Sequence, residues 1–234
     1  MKEKYLLGEM MNKKVERIIR ICRKQCKFCN AQGCDSCRRK AGRMLQYDNS
    51  NIPMEFWNRS FKDFKGNKNF KKFFSEKLKN IEDFYDKGKS MFIYGNFGTG
   101  KTYSACCMLK IAITKGYTAH YTNMSDVINK LLSREHDSGS YISDLSSYDF
   151  LVIDEFDKRW VFPSEKSQII FGSSMENILR SRFQNMLPTI MCSNTISFND
   201  IFTEQYAKAI TSLSKKYVEQ IPLGGIDMRR KNNV

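Results

Sequence analysis

The feature that most constrains this chain is a glycine-rich stretch, residues 95–102, with the sequence GNFGTGKT. It matches in full the phosphate-loop pattern G-x-x-x-x-G-K-[ST], in which glycines let backbone N–H groups curl around a phosphate. An apolar run, residues 91–94, precedes the loop, and a helical pattern follows it. The stretch therefore predicts a strand, a phosphate loop and a helix whose positive end faces the phosphates. A glycine-rich turn without a ligand is the alternative.

The loop and the first helical turn after it supply the candidate nucleotide ligands. Lys101 is expected to place its charge on the β- and γ-phosphates, and the Thr102 hydroxyl is expected to bind Mg²⁺. The full candidate set is Gly95, Asn96, Phe97, Gly98, Thr99, Gly100, Lys101, Thr102 and Tyr103. These residues predict a nucleoside triphosphate site.

Two carboxylates follow a second apolar run. The sequence YDFLVIDE, residues 148–155, is typical of a parallel strand that is buried on both faces and ends where α/β ligands bind. Asp154 is predicted to hold Mg²⁺ through water, and Glu155 to activate the attacking water as a general base. A surface acidic pair is the alternative. A third run, residues 189–193, ends at Asn194, a candidate partner of the γ-phosphate or the lytic water.

Length and composition set the broad class of protein. A chain of 234 residues, 41% of them hydrophobic, has room for one α/β domain with a real core plus a small appendage. No apolar run approaches the ~20 residues of a membrane span, and the first residues lack the pattern of a signal peptide. We therefore expect a cytoplasmic protein that has no membrane partner.

The charge is unevenly distributed along the chain. The formal net charge is +14, and residues 1–45 hold 13 Lys and Arg against 4 Asp and Glu. Residues 2–25 have a helical pattern with a cationic surface, which favours either a nucleic-acid or partner-binding helix or a merely solvated face. A cationic and aromatic loop, Lys158, Arg159 and Trp160, is a second candidate contact for DNA or a neighbouring subunit.

Four cysteines form two closely spaced Cys-x-x-Cys pairs, at Cys26, Cys29, Cys34 and Cys37. Four thiolates at this spacing predict a closed tetrahedral Zn²⁺ site, which would fold a segment too small to build its own core. An iron–sulfur cluster and free thiols are the alternatives. Cys22 is a fifth candidate that could replace one ligand, whereas Cys106 and Cys107 are expected to be inert buried thiols.

The apolar patterns predict an α/β fold, a three-layer phosphate-loop domain with a parallel sheet. The segments are expected to be 1–45, the basic helix and zinc module; 46–66, a linker packing on the core; and 67–234, the nucleotide-binding domain. Expected helices in that domain are 68–87, 101–115, 126–135, 165–185 and 199–216, and further strands are expected at 117–122 and 218–223.

The assembled motifs resemble the AAA+ ATPases of the replicative helicase-loader family, the DnaC-like proteins, and their IstB-type transposition-helper relatives. The matching residues are Ile52-Pro53, Ser60-Phe61 with Phe64, the loop GNFGTGKT, the run YDFLVIDEF, PTIMCSN with its terminal Asn194, and a closing Gly225-Ile-Asp227-Met-Arg229. The resemblance covers roughly residues 50–230. It implies an AAA+ fold without a helical lid after Asn194, and it adds Arg229 to the candidate nucleotide ligands.

The resemblance also implies a function. The family couples ATP binding to opening or holding a hexameric replicative helicase around single-stranded DNA, and its N-terminal module, which in some members carries zinc, grips the helicase. The family's DNA contacts point to Lys130 and Arg134 on the helix predicted at 126–135. Self-association on the helicase or on DNA, in the cytoplasm of a bacterial or phage-infected cell, is implied as well.

One departure from the family concerns the arginine that activates a neighbouring subunit. Family members usually carry it on the helix after the sensor strand, but residues 199–216 contain no arginine. Lys208 is the nearest substitute on that helix, and Arg180 and Arg182 on the preceding one are the other candidates. Slow turnover of ATP is expected in consequence.

Three other functions share parts of these motifs. An ATPase helper of DNA transposition has the same core but meets a transposase. A phosphate-loop nucleotide kinase would need a lid with phosphate-clamping arginines, and Asp154, Glu155 and Asn194 suit attack by water better than attack by a hydroxyl group. A DNA-binding module that binds ATP without turnover is the last alternative.

Overall fold

The computed structural model describes residues 2–132, 138–157, 159, 164–197 and 200–229. Its internal contacts divide the chain into two compact units, Met1–Trp57 and Asn58–Val234. None of the helices described is long and apolar enough to cross a membrane.

The first unit is a pair of helices joined by the cysteine-rich loop. Helix α1 spans Lys2–Lys24 and α2 spans Asp35–Asn49, so α2 extends into the segment that the sequence predicts as a linker. Among residues 13–49 of the pair, the buried apolar side chains are Ile18, Cys22, Cys37, Ala41 and Met44. A short 3₁₀ turn, Met54–Phe56, follows, and the Trp57 indole N–H donates to the Ile52 carbonyl at 2.8 Å.

The second unit is built on a five-stranded sheet in the order β2-β3-β4-β1-β5, in which every neighbouring pair is parallel. The strands are β1 Ser90–Tyr94, β2 Ala119–Asn123, β3 Phe150–Asp154, β4 Thr189–Ser193 and β5 Val218–Pro222. The helices are α3 Lys68–Lys79, α4 Ile81–Asp86, α5 Lys101–Thr114, α6 Met124–Leu132, α7 Ser138–Ser147, α8 Glu165–Gln184 and α9 Glu204–Tyr217. The predicted α/β phosphate-loop fold is confirmed.

The apolar runs of the sequence become the central strands because both of their faces are covered. All residues of β3 and β4 are buried, and so are four of the five in β1. Phe92, Leu151 and Met191 belong to one cluster with side chains of α6, α8 and α9. Successive strand side chains point to opposite faces, so the intervening residues face the other layer, where α5 lies against β2, β3 and β4.

Several element boundaries differ from the sequence prediction. The helix predicted at 68–87 is broken at Asn80, whose φ of −107° and ψ of 43° are not helical. The helix predicted to start at 199 begins at Glu204 after the extended residue Thr203. Helix α6 is capped by Asn123, whose side-chain oxygen accepts from the Asp126 N–H at 2.8 Å. Helix α7 was not predicted, because its sequence, SGSYISDLSS, is short and mostly polar.

Arg182 corrects one expectation drawn from the sequence. Its side chain is fully buried, and its guanidinium donates to the Thr189 hydroxyl and to the carbonyls of Leu145, Tyr148 and Pro188 at 2.7–2.8 Å. Burial lowers its pKa to about 9. Arg182 therefore cannot reach a neighbouring subunit. Its role is to hold together the segments that lead into β3 and β4.

We expect Arg182→Ala to cost about 3–5 kcal/mol of unfolding free energy, because it leaves buried carbonyls without a donor. The matched control is Arg180→Ala, which removes an exposed ion pair with Glu176 worth less than about 1 kcal/mol. Thermal and denaturant unfolding of the two variants measure the difference. Equal midpoints would contradict the assigned role of Arg182.

Candidate functional site

The order of the strands brings together the polar segments at the C-terminal ends of three strands. Strand β4 lies between β1 and β3, with Tyr94 paired to Ser193 and Ile153 paired to Met191. The phosphate loop after β1, Asn194 after β4, and Asp154 with Glu155 at the end of β3 therefore meet at one edge of the sheet. Parallel sheets bind ligands at this edge, where the strands end.

The loop is tightly packed against the C-terminal part of the domain. Gly98 has a φ of +74°, and a Cβ there would collide with the Asp227 carboxylate. The Met228 N–H donates to the Gly98 carbonyl at 2.9 Å, and the Met228 side chain lies beside Gly100. Arg229 follows at the surface. The closing motif of the sequence thus lies directly on the phosphate loop.

Lys101 connects the loop to β4. Its ammonium group donates to the carbonyls of Gly95 and Asn96 at 2.7 and 2.8 Å and to the side-chain oxygen of Asn194 at 3.0 Å. The residue is 8% exposed, and this burial lowers its pKa. The three acceptors of the lysine are uncharged protein oxygens. A charged phosphate oxygen would be a stronger acceptor for the same ammonium group.

The two carboxylates at the end of β3 have different surroundings. Asp154 is 5% exposed and accepts a hydrogen bond from the Tyr121 hydroxyl at 2.9 Å. Glu155 is exposed and has a φ of +50°, a left-handed conformation that a residue with a Cβ rarely adopts. Partial burial and the charge of Asp154 raise the pKa of Glu155, whereas Arg159 and Arg229 oppose that shift. Glu155 is thus accessible to solvent, whereas the buried Asp154 is held by the Tyr121 hydroxyl.

Arg159, a predicted DNA contact, lies at the phosphate loop. Its guanidinium carbon is 5.3 Å from the centre of the Phe97 ring, and its Nε is 3.1 Å from the carboxylate of Asp157. Phe97 is 58% exposed at the tip of the loop.

Of the other cationic candidates, the structure describes Lys130. The exposed Lys130 places its ammonium group 4.5 Å from the centre of the Tyr141 ring, on α7. Arg134 and Lys158, together with Trp160, lie outside the described residues.

Tyr121, Asp157 and Tyr141 were not predicted as site residues from the sequence. Tyr121 lies on β2, and only the pairing of β2 with β3 brings it to Asp154. Asp157 comes two residues after Glu155, and this spacing was the one local signal that could have drawn attention to it.

The four cysteines of the first unit converge as expected for one metal ion. Their Sγ atoms all lie within 4.8 Å of one another, with Cys26–Cys34 and Cys34–Cys37 at 3.8 Å and Cys29–Cys37 at 3.5 Å. A tetrahedral Zn²⁺ with Zn–S bonds of about 2.3 Å places its sulfurs about 3.8 Å apart. Backbone N–H groups of Phe28 and Gly33 donate to Cys26 and Cys29. This geometry fits a single ion.

The other cysteines have separate surroundings. The Cys22 thiol is buried and donates to the Met44 sulfur at 3.3 Å, so it is not one of the four. Cys106 and Cys107 are buried on α5, and burial raises the pKa of Cys107 to about 11, which leaves a neutral thiol.

The sequence of residues 62–171 matches the family described as IstB-like ATP binding protein. No curated protein matches the chain. Among solved structures, DnaI shares 19% identity over 76% of this chain and 94% of its own, with a TM-score of 0.59. The DnaC helicase loader shares 17% over 74% of this chain and all of its own, with a TM-score of 0.57. These likenesses establish the fold.

A third solved structure is the replication initiator DnaA bound to AMPPCP and single-stranded DNA. It shares 20% identity over 74% of this chain, with a TM-score of 0.55, and this chain spans about half the length of that one, 51%. The predicted resemblance is therefore confirmed for residues 62–171 by the IstB-like family match, and for the fold by the DnaI, DnaC and DnaA structures.

The metal site leads to a direct prediction. We expect elemental analysis to find one zinc per chain, and Cys34→Ser to lose it because three thiolates close the site poorly. Cys22→Ala, the matched control, should keep the metal since its thiol faces Met44. Iron with visible absorbance, or zinc retained by Cys34→Ser, would contradict the four-thiolate assignment.

Proposed function

We propose, on the premise that residues 62–171 form an IstB/DnaC-like ATP-binding domain of the AAA+ ATPase type, that this protein is an ATP-dependent helicase loader. It would bind a replicative hexameric DNA helicase and deliver it to single-stranded DNA. The observation that carries the proposal is a separate four-thiol unit, Met1–Trp57, preceding an ATPase domain with the fold of the DnaC helicase loader.

The proposed nucleotide chemistry follows from the three segments that meet at the sheet edge, after β1, β3 and β4. Lys101 exchanges its carbonyl partners for the β- and γ-phosphates, and Thr102 and Asp154 are the residues that would hold Mg²⁺, which neutralises phosphate charge. Glu155 takes the proton of the attacking water. Asn194, whose oxygen faces Lys101, keeps its amide N–H groups for the γ-phosphate or that water.

We expect Glu155→Gln to keep ATP affinity and to lose turnover by about a hundredfold or more, because only the general base is removed. The Lys101→Ala variant is the contrasting case and should lose nucleotide affinity itself. Steady-state hydrolysis and nucleotide titration measure the two effects. Turnover at the wild-type rate in Glu155→Gln would show that another group is the base.

The metal unit is the proposed attachment to the helicase. Residues 1–45 carry most of the chain's net positive charge, and a zinc ion would fix the loop between α1 and α2. Zn²⁺ binds zinc-finger peptides with an apparent free energy of about 10–16 kcal/mol. Because that binding supplies the folding free energy, loss of the metal is expected to unfold such a unit. All the candidate nucleotide ligands belong to the second unit, Asn58–Val234.

The test is to recover the tagged full-length protein from its native cell and identify what it carries. We expect the replicative helicase with the wild type and with Cys22→Ala, and its absence with Cys34→Ser. ATP affinity should be equal in all three. Recovery of a transposase instead would favour the IstB-type transposition helper, a second candidate that the family description supports.

Single-stranded DNA is the second proposed partner, and Lys130 with Arg134 is the proposed contact. Each phosphate that a protein neutralises on a single strand contributes about 0.7 to the slope of log affinity against log salt. We expect Lys130→Ala to weaken single-strand binding and to flatten that slope by about this amount. Lys115→Ala, an exposed lysine paired with Glu82, is the control and should leave the slope unchanged. An equal slope in Lys130→Ala and wild type would remove Lys130 from the DNA surface.

A further inference from the structure

Hydrolysis of ATP spreads negative charge over the γ-phosphate oxygens, and Lys101 alone neutralises only part of it. Phosphate-loop enzymes complete this neutralisation with an arginine that comes either from the same chain or from a neighbour. Helix α9 has no arginine, and Arg182 is buried with four acceptors. These observations direct attention to the arginines around the phosphate loop itself, where Arg159 contacts Phe97.

Arg159 has the required position. Its guanidinium lies over the ring of Phe97, and Phe97 directly follows Asn96, whose carbonyl accepts from the Lys101 ammonium at 2.8 Å. Arg159 thus contacts the loop one residue away from a carbonyl that accepts from the Lys101 ammonium.

Two contacts hold this arginine without burying it. The carboxylate of Asp157 is 5% exposed and accepts from the Arg159 backbone N–H at 3.0 Å while pairing with its Nε at 3.1 Å. The Arg159 side chain itself is 50% exposed, so its terminal amino groups can still reach a ligand. A planar guanidinium that stacks on a ring keeps its N–H donors directed outward in the plane.

We propose that Arg159 is a catalytic arginine acting within its own chain, which moves from Phe97 to the γ-phosphate when ATP is bound. Asp157 is the positioning residue that fixes its backbone and its Nε. Water attacks the γ-phosphorus, the bond to the bridging oxygen breaks, and ADP leaves with the electron pair. Glu155 accepts the water proton, whereas Arg159 donates hydrogen bonds and transfers no proton. This inference rests on the proposed ATP hydrolysis.

The first experiment compares affinities for AMPPCP and ADP, because it does not depend on turnover. Arg159→Ala should weaken AMPPCP binding about tenfold, the value of one charge-assisted hydrogen bond, and leave ADP binding within about twofold. Turnover at saturating ATP should fall about a hundredfold. Arg159→Lys should recover part of both effects, and Lys115→Ala should change neither.

The role of Asp157 is tested by a double-mutant cycle. Asp157→Asn should lower the preference for AMPPCP over ADP, and Arg159→Ala with Asp157→Asn should be no worse than Arg159→Ala alone. Additive losses would show that Asp157 acts independently of Arg159. Thermal unfolding of each variant verifies that the effect is not a general loss of folding.

Mixing two inactive variants decides whether the arginine serves its own site. Arg159→Ala keeps Glu155, and Glu155→Gln keeps Arg159, so a mixture regains turnover only if the arginine reaches a neighbour's site. We expect no recovery at any mixing ratio. Recovery would overturn action within the chain.

The outcomes also separate this inference from the proposed function. Wild-type protein that binds neither AMPPCP nor ADP would contradict the proposed ATPase itself. Unchanged nucleotide preference and turnover in Arg159→Ala, with Lys101→Ala inactive, would overturn only the role of Arg159. If Arg159→Ala instead weakens single-stranded DNA binding and flattens its salt dependence, the residue is a DNA contact.

Discussion

The nucleotide site depends on one interaction, the three hydrogen bonds of the Lys101 ammonium group. They tie the end of β1, through Gly95 and Asn96, to the end of β4, through Asn194. This contact exists only because β4 is inserted between β1 and β3, which sets Asn194 between the loop and the two carboxylates. A sheet with β1 directly beside β3 would place no amide in that position.

The sequence predicted those parts of the structure that depend on local chemistry. The phosphate loop requires glycines at fixed spacing, and the central strands require apolar runs, so β1, β3 and β4 could be located from their residues alone. Parts that depend on long-range contacts could not be foreseen. The burial of Arg182, the packing of Met228 on Gly98, and the stack of Arg159 on Phe97 join residues whose separation along the chain carries no pattern.

The four-cysteine cluster likewise has one part that the sequence predicts and one part that only the structure shows. Two Cys-x-x-Cys pairs predict four ligands, and the three sulfur distances of 3.5–3.8 Å add the size of the group that the four thiols could hold, which the spacing cannot give. These distances match the edge of a tetrahedron around one ion. A four-iron cluster places its irons and sulfides among the cysteines and needs them further apart.

Nucleotide can change the state of this protein only through contacts that differ between the bound and free forms. On the proposed function, a phosphate bound at the loop would compete with Asn194 for the Lys101 ammonium. Asn194 adjoins Ser193 and Thr195, whose hydroxyls bond to each other at 2.9 Å, and the chain then leads to α9. A lysine bound only to its own loop would not touch the segment after β4, so the bond to Asn194 is the contact through which a bound phosphate would act on that segment.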